Sequence, residues 1–239
     1  MEQKTHVITL SSTQKGEADK LVRLFSSDLG MINATVKGAR KQGSKLGCCT
    51  FTFALSEVVL NEKGGFYTVI AADLVESFKE LSADIEKFEY ASAIAEALEH
   101  FSRGDLEPNK FFVLTLQTYK LMAFSKLSEK LIFMKFLLEI LKLSGYALDF
   151  NLAGEIVSEQ GEVYLDLSGQ FMREKKEPCL VINNKALGFL HAVEQKNISG
   201  FDKDVKEGYD LKLEEYCLDQ MIMLVEGLMN KKFKSIFRI

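Results

Sequence analysis

The sequence predicts an α+β chain, a small closed β-barrel followed by a mostly helical region, and three observations carry that reading. The first eighty residues alternate apolar and polar side chains in short runs with period two. After Phe78 the apolar residues recur at helical spacing. Between residues 147 and 184 the texture turns extended again and contains a hairpin signal.

Lys4 to Ser11 forms the first half-apolar run and Lys20 to Ser26 the second, separated by the turn Gly16-Glu17-Ala18-Asp19-Lys20. Met31 to Lys37 sets Ile32, Ala34 and Val36 on one face and Asn33, Thr35 and Lys37 on the other. Phe51, Phe53 and Leu55 alternate with Thr50, Thr52 and Ala54 in a run reaching Leu60. Asn61-Glu62-Lys63-Gly64-Gly65 then signals a hairpin leading into Phe66 to Ala71. Five short strands with polar turns predict a first domain over 1–80, with an OB-fold as the best-known five-stranded barrel. An SH3-like barrel or an open meander would give a similar string.

The second domain, 81–239, reads as helical. Ser82 can cap a helix to about Arg103, with Phe88, Ala91, Ile94, Ala95 and Leu98 on one stripe. A second helix follows from about Lys110 to Phe124. A third runs from the Ser128 cap to Gly145, and its body, Leu131 to Leu143, is apolar on most faces and therefore central to the core. Within 147–184, Glu162 to Arg173 reads as a hairpin about Ser168-Gly169. Helices resume over Lys185 to Glu194 and from Asp210 to Met229.

With 239 residues and a formal charge of −4, the chain can meet an anionic partner only through a local patch. Such a patch is visible. No acidic residue occurs from Leu29 to Ser56, while Lys37, Arg40, Lys41 and Lys45 crowd one glycine-punctuated loop, a pattern suited to phosphate contact or to a solvated turn. Gly38 to Lys45 resembles a P-loop only superficially, because the order of Lys and Ser is inverted and no helix follows. No aromatic residue lies in the loop, Phe51 and Phe53 read as core, and Phe66 and Tyr67 are weaker stacking candidates. A secondary basic cluster, Lys231, Lys232, Lys234 and Arg238, follows the last helix, where lysines also complement a helix C-terminus.

Nothing in the chain argues for an enzyme. His6, His100 and His191 stand far apart, and no nucleophile, paired-carboxylate or metal-ligand spacing appears. Cys48, Cys49, Cys179 and Cys217 include no C-x-x-C pair, which fits a reducing compartment. Met1 to His6 lacks the features of a signal peptide, and no apolar run is long enough to span a membrane, so a soluble cytoplasmic protein is expected.

Several segments together resemble the RecO family of bacterial DNA repair proteins. They are Val7-Ile8-Thr9-Leu10, Gly16 to Ser26, Leu29-Gly30-Met31, Lys37-Gly38-Ala39-Arg40-Lys41 with Ser44, and Gly65-Phe66-Tyr67-Thr68. Beyond residue 80 the likeness is thinner: Leu141-x-x-x-Gly145-Tyr146 and a closing Lys234-Ser235. The resemblance implies an N-terminal OB-fold and a helical domain. It implies a recombination mediator that binds single- and double-stranded DNA, anneals complementary strands and works with RecR to load RecA on DNA coated by single-strand-binding protein. It further implies a nucleoid-associated cytoplasmic location, no small-molecule substrate and no covalent chemistry. Lys37, Arg40, Lys41 and Lys45 would be phosphate contacts, and the helical domain would hold a groove for the acidic, apolar tail of the single-strand-binding protein. Many members carry two cysteine pairs for zinc after the Gly-Tyr, but here Ala147 to Asn184 holds only Cys179. No cofactor or metal is therefore expected, and the hairpin would organise this region instead. The competing class is a protein-interaction scaffold with a small β-barrel and no intrinsic DNA affinity.

Overall fold

Five strands close on themselves at the start of the computed structural model, which describes residues 2–104, 106–201 and 210–236. They are β1 (Glu2–Lys15), β2 (Asp19–Ser26), β3 (Gly30–Val36), β4 (Leu55–Lys63) and β5 (Phe66–Glu76), ordered β1-β2-β3-β5-β4, with β4 returning to β1. Neighbours are antiparallel except β3 and β5, which run parallel from the Ala34–Tyr67 pair to Val36–Val69. In a meander β3 would pair with β4. The crossing seen here is the Greek-key closure of an OB-fold. A register shift between Thr9 and Ser11 bends β1 so that it serves both β4 and β2. The β4–β5 turn is made by Gly64 and Gly65, both with φ positive (60° and 79°), as a twisted two-residue hairpin requires.

The alternating pattern fills the barrel with Val7, Val22, Leu24, Ile32, Ala34, Val36, Val58, Leu60 and Val69. The expected strand from Thr50 is corrected by the structure. Lys45–Thr50 is a 3-10 turn whose Cys49 enters the barrel core, and β4 begins only at Leu55. Thr9 pins this segment from three directions: its hydroxyl donates to the Cys49 carbonyl (2.9 Å), its N–H donates to Ala54 (3.0 Å), and its carbonyl accepts from Phe53 (2.6 Å).

The helices are α1 (Lys79–Ala83), α2 (Ile85–Phe101), α3 (Pro108–Phe124), α4 (Glu129–Leu143), α5 (Phe150–Ile156), α6 (Asn184–Glu194) and α7 (Leu211–Met229). Asp84, rather than Ser82, caps α2 by accepting from the Lys87 N–H, because a separate one-turn helix occupies 79–83. Ser128 caps α4 as expected, accepting from the Leu131 N–H. Ten of the residues of α4, from Leu131 to Leu141, are buried, so this helix is the axis of the larger core. That core also takes in Ile8, Leu10, Phe25, Phe53 and Leu55 from the barrel. Phe88, expected on the buried stripe of α2, is 46% exposed and meets Phe53 edge-on at 5.6 Å.

Phe53 and Phe78 both adopt positive φ (69° and 44°), which is uncommon for bulky residues. Each is fully buried against Tyr119, at ring separations of 5.3 and 6.4 Å, and packing there outweighs the local strain. The Tyr119 hydroxyl donates to the Ala91 carbonyl (3.1 Å), tying α3 to α2 beneath the barrel.

The predicted hairpin is present as β6 (Glu162–Asp166) and β7 (Phe171–Met172). A third strand, β8 (Cys179–Asn183), completes a sheet ordered β7-β6-β8. Val163, Leu165, Phe171, Leu180 and Ile182 turn inward, and Phe150 packs on Phe171 at 5.9 Å. Among the described residues no helix is long and apolar enough to cross a membrane.

Candidate nucleic-acid interface

The basic loop between β3 and the 3-10 turn is fixed by its backbone. The Gly38 N–H donates to Asp19 (2.8 Å), the Arg40 N–H donates to the Ala18 carbonyl (2.9 Å), and the Arg40 guanidinium donates to the Glu17 carbonyl (3.1 Å). Gly38 takes φ of 65°, so the chain can reverse against the β1–β2 turn. The loop is thereby stapled to the barrel end, with the Arg40 guanidinium as one of the staples, and the Lys37, Lys41 and Lys45 side chains are exposed.

Lys37, Arg40, Lys41 and Lys45 are all exposed, and none makes an ion pair among the described residues. The structure brings Arg40 and Lys45 to one surface depression, also lined by Lys20, Thr50 and Phe51, with no carboxylate in its lining. Lys37 and Lys41 lie on the same loop outside that lining. Two cations escaped the sequence reading: Lys20, whose ammonium donates to Thr50 Oγ1 (3.1 Å), and Lys15, which leans across the outer strand face to Thr35 Oγ1 (2.9 Å). Only the register of the β1–β2 hairpin places them beside the loop.

Phe51 was expected in the core and is instead 54% exposed at the edge of this depression. The period-two pattern failed here because 45–50 coils, which turns Cys49, Thr50 and Phe53 inward and Phe51 outward. Phe66 is 79% exposed at the β4–β5 turn and does not line the depression.

The secondary cluster is more constrained. Lys231 pairs with Glu96 (3.7 Å), and the same carboxylate accepts from the Lys234 and Ser235 N–H groups (3.1 and 2.9 Å). Arg103 and Lys231 lie near His100, and burial together with these two cations lowers its pKa. Lys232 is exposed, and Arg238 lies outside the described residues. The opposite sign predominates on the helical side, where Glu86, Glu89, Glu215 and Asp219 line a depression with Tyr90, Leu218 and one cation, Lys130, which pairs with Glu215 (3.0 Å). Burial and the neighbouring Glu129 hold the Glu86 carboxyl above its usual range.

The three histidines remain apart: His6 lies 3.9 Å from Glu57, His191 stacks on Phe150 at 5.4 Å, and His100 packs on Phe101. A four-ligand zinc site does not fit the region after Tyr146, because Cys179 on β8 is its one thiol and its strand partner is Asp166. Apolar packing organises the region. Gly227 of α7 lets Leu167 approach so closely that an added Cβ would meet it at 3.3 Å.

All four cysteines are free. Burial pushes the Cys49 and Cys217 thiols up to about 12, whereas Cys48, in the basic depression, and Cys179 are partly accessible. A native-state titration with a thiol reagent is expected to label Cys48 and Cys179 readily, and Cys49 and Cys217 only on unfolding.

Residues 1–78 match the family model described as recombination protein O N terminal. A DNA repair protein RecO of Clostridium novyi (strain NT) is 32% identical over 152 residues, covering 62% of this chain and 58% of that protein. One from Caldanaerobacter subterraneus subsp. tengcongensis is 25% identical over 192 residues, 78% of each chain. One from Clostridium kluyveri is 27% identical over 213 residues, covering 85% of this chain and 83% of that protein. The chain thus spans less than two thirds of the first of these relatives and more of the other two. The likeness runs on through the helical region after the barrel match ends at residue 78, so the chain is similar to RecO proteins in both its barrel and its helices.

Proposed function

We propose that this protein is a recombination mediator in DNA repair, which binds single- and double-stranded DNA through the basic end of its barrel and promotes annealing of complementary strands. The observation that carries this reading is the convergence of cations without ion-pair partners on a braced barrel end, in a chain of net negative charge whose barrel matches the RecO N-terminal family model. Lys37, Arg40, Lys41 and Lys45 are assigned to phosphate contact, with Lys15 and Lys20 beside them. The acidic helical face turns nucleic acid away from the rest of the surface.

The proposal extends to RecR and to RecA loading on DNA coated by single-strand-binding protein, with action at the nucleoid in the cytoplasm and no covalent step. For the acidic, apolar tail of the single-strand-binding protein we assign the depression formed by Leu121, Phe124, Ile198 and Lys120, where Phe124 is 58% exposed. The secondary cluster around Lys231, Lys232 and Lys234 is assigned an auxiliary role, since Glu96 already neutralises part of it.

The test is anisotropy of a labelled single strand across a salt series. The four loop cations, each neutralising one phosphate, contribute about −2.8 to the slope of log affinity against log salt, at roughly −0.7 per contact. A variant with Lys37, Arg40, Lys41 and Lys45 replaced by Gln is expected to flatten that slope, and DNA is expected to protect Cys48 but not Cys179 from thiol labelling. Absence of binding at low salt would instead favour a scaffold that docks protein alone.

A further inference from the structure

We infer that Phe51 is a base-stacking platform and that the depression it edges selects unpaired nucleotides over duplex. This inference rests on the DNA-binding reading above and names the form of DNA that this part of the surface takes.

Presentation of the Phe51 ring is enforced from both sides. Cys49 and Thr50 before it are buried, and so is Phe53 after it. The Phe51 N–H donates to the Cys48 carbonyl (3.4 Å), and its own carbonyl accepts from Ala54 (3.2 Å). With its neighbours committed inward and both backbone groups bonded, the side chain has no route into the core. A single exposed apolar side chain is ordinary on a protein surface. This one shares a depression with Lys20, Arg40 and Lys45 and with no carboxylate.

An aromatic face beside cations is the arrangement that single-strand binding uses: bases stack on the ring while the backbone follows the positive charge, with little sequence preference. In a duplex both faces of each base are already covered by neighbouring pairs, so the ring gains nothing there while the phosphates remain within reach of the cations. Two kinds of contact therefore separate at this site. Arg40, Lys45 and Lys20 serve either form of DNA, and Phe51 serves only the unpaired one.

The chain contains no tryptophan, which gives a direct readout. Phe51→Trp keeps a larger aromatic face and supplies a sole indole fluorophore. Oligothymidylate of about 16 nucleotides, at the upper end of the span covered by one OB-fold, is expected to quench that emission, and a matched duplex of equal length to leave it unchanged. Phe51→Ala is expected to weaken oligothymidylate binding by about 5- to 150-fold while leaving duplex affinity and the salt slope as in the natural protein. Its thermal midpoint is expected to change little, because the ring is 54% exposed and belongs to neither core cluster. Equal losses on single strand and duplex, unchanged single-strand affinity, or indole emission indifferent to bound oligothymidylate would each overturn the stacking assignment and leave the phosphate reading standing. No DNA binding by the natural protein would overturn both.

Discussion

Phe53→Ala is expected to cost about 3–5 kcal/mol of folding stability, the range for removing a buried phenylalanine. The ring is 1% exposed and closes the space between the barrel end and the helices, meeting Tyr119 at 5.3 Å and Phe88 at 5.6 Å in edge-to-face geometry. Ala fares no better at a φ of 69°, so truncation removes packing without relieving strain. Urea unfolding is expected to show a lowered midpoint, and calorimetry a fall of roughly 10 °C for a chain of this size. Phe51→Ala, two residues away, is the control, with a stability change within about 0.5 kcal/mol. A Phe53→Ala loss under about 1 kcal/mol would mean that α2 and α3 collapse onto the barrel and fill the gap, against the plugged junction described here.

Lys135→Ala is expected to cost about 2–4 kcal/mol. Lys135 lies fully buried on α4, and its ammonium donates to Glu139 one turn later (2.5 Å) and to the Glu194 carbonyl at the end of α6 (2.9 Å). Removing it strands a carboxylate that is only 22% exposed and uncaps the last turn of a second helix. The partial exposure of Glu139 holds the loss below that of a fully enclosed pair. Replacing both residues with Met is expected to recover most of the loss, because apolar packing often replaces a buried ion pair at little cost. Urea midpoints of the single and double variants decide the matter. A double variant as unstable as Lys135→Ala would show that the bond to Glu194, not the ion pair, carries the effect.

The sequence was legible wherever one period governed a whole element. The alternation of Ile32, Ala34 and Val36 predicted β3 and its inner face, and the apolar body of Leu131 to Leu143 predicted a core helix with its Ser128 cap. The hairpin around Ser168-Gly169 was legible from its turn. The alternation misled at Thr50 to Phe53. Phe51 and Phe53 occupy equivalent positions in a period-two pattern, yet a 3-10 turn anchored by Thr9, forty residues earlier along the chain from Cys49, sends one to solvent and the other to the core. No local signal distinguishes them, because the anchoring bonds come from another strand.

The candidate interface divides in the same way. The absence of acids from Leu29 to Ser56 already marked Lys37, Arg40, Lys41 and Lys45, since charge is a property of residue type and survives any fold. Which other groups stand beside them depends on strand register, which pairs Lys15 with Asp19 and Lys20 with Val36, and on a backbone bond from Gly38 to Asp19. By itself, then, the sequence determined the α+β class, the succession of strands and helices, the family likeness and the location of the positive charge. Tertiary structure alone decided the β3–β5 crossing that makes the barrel an OB-fold, the outward turn of Phe51, the plug made by Phe53, and the pairing of Lys231 in the later cluster with Glu96. The physical reason is range. Periodicity and charge are local to the chain, whereas pairing, burial and exposure are settled by residues that meet only after the chain has folded.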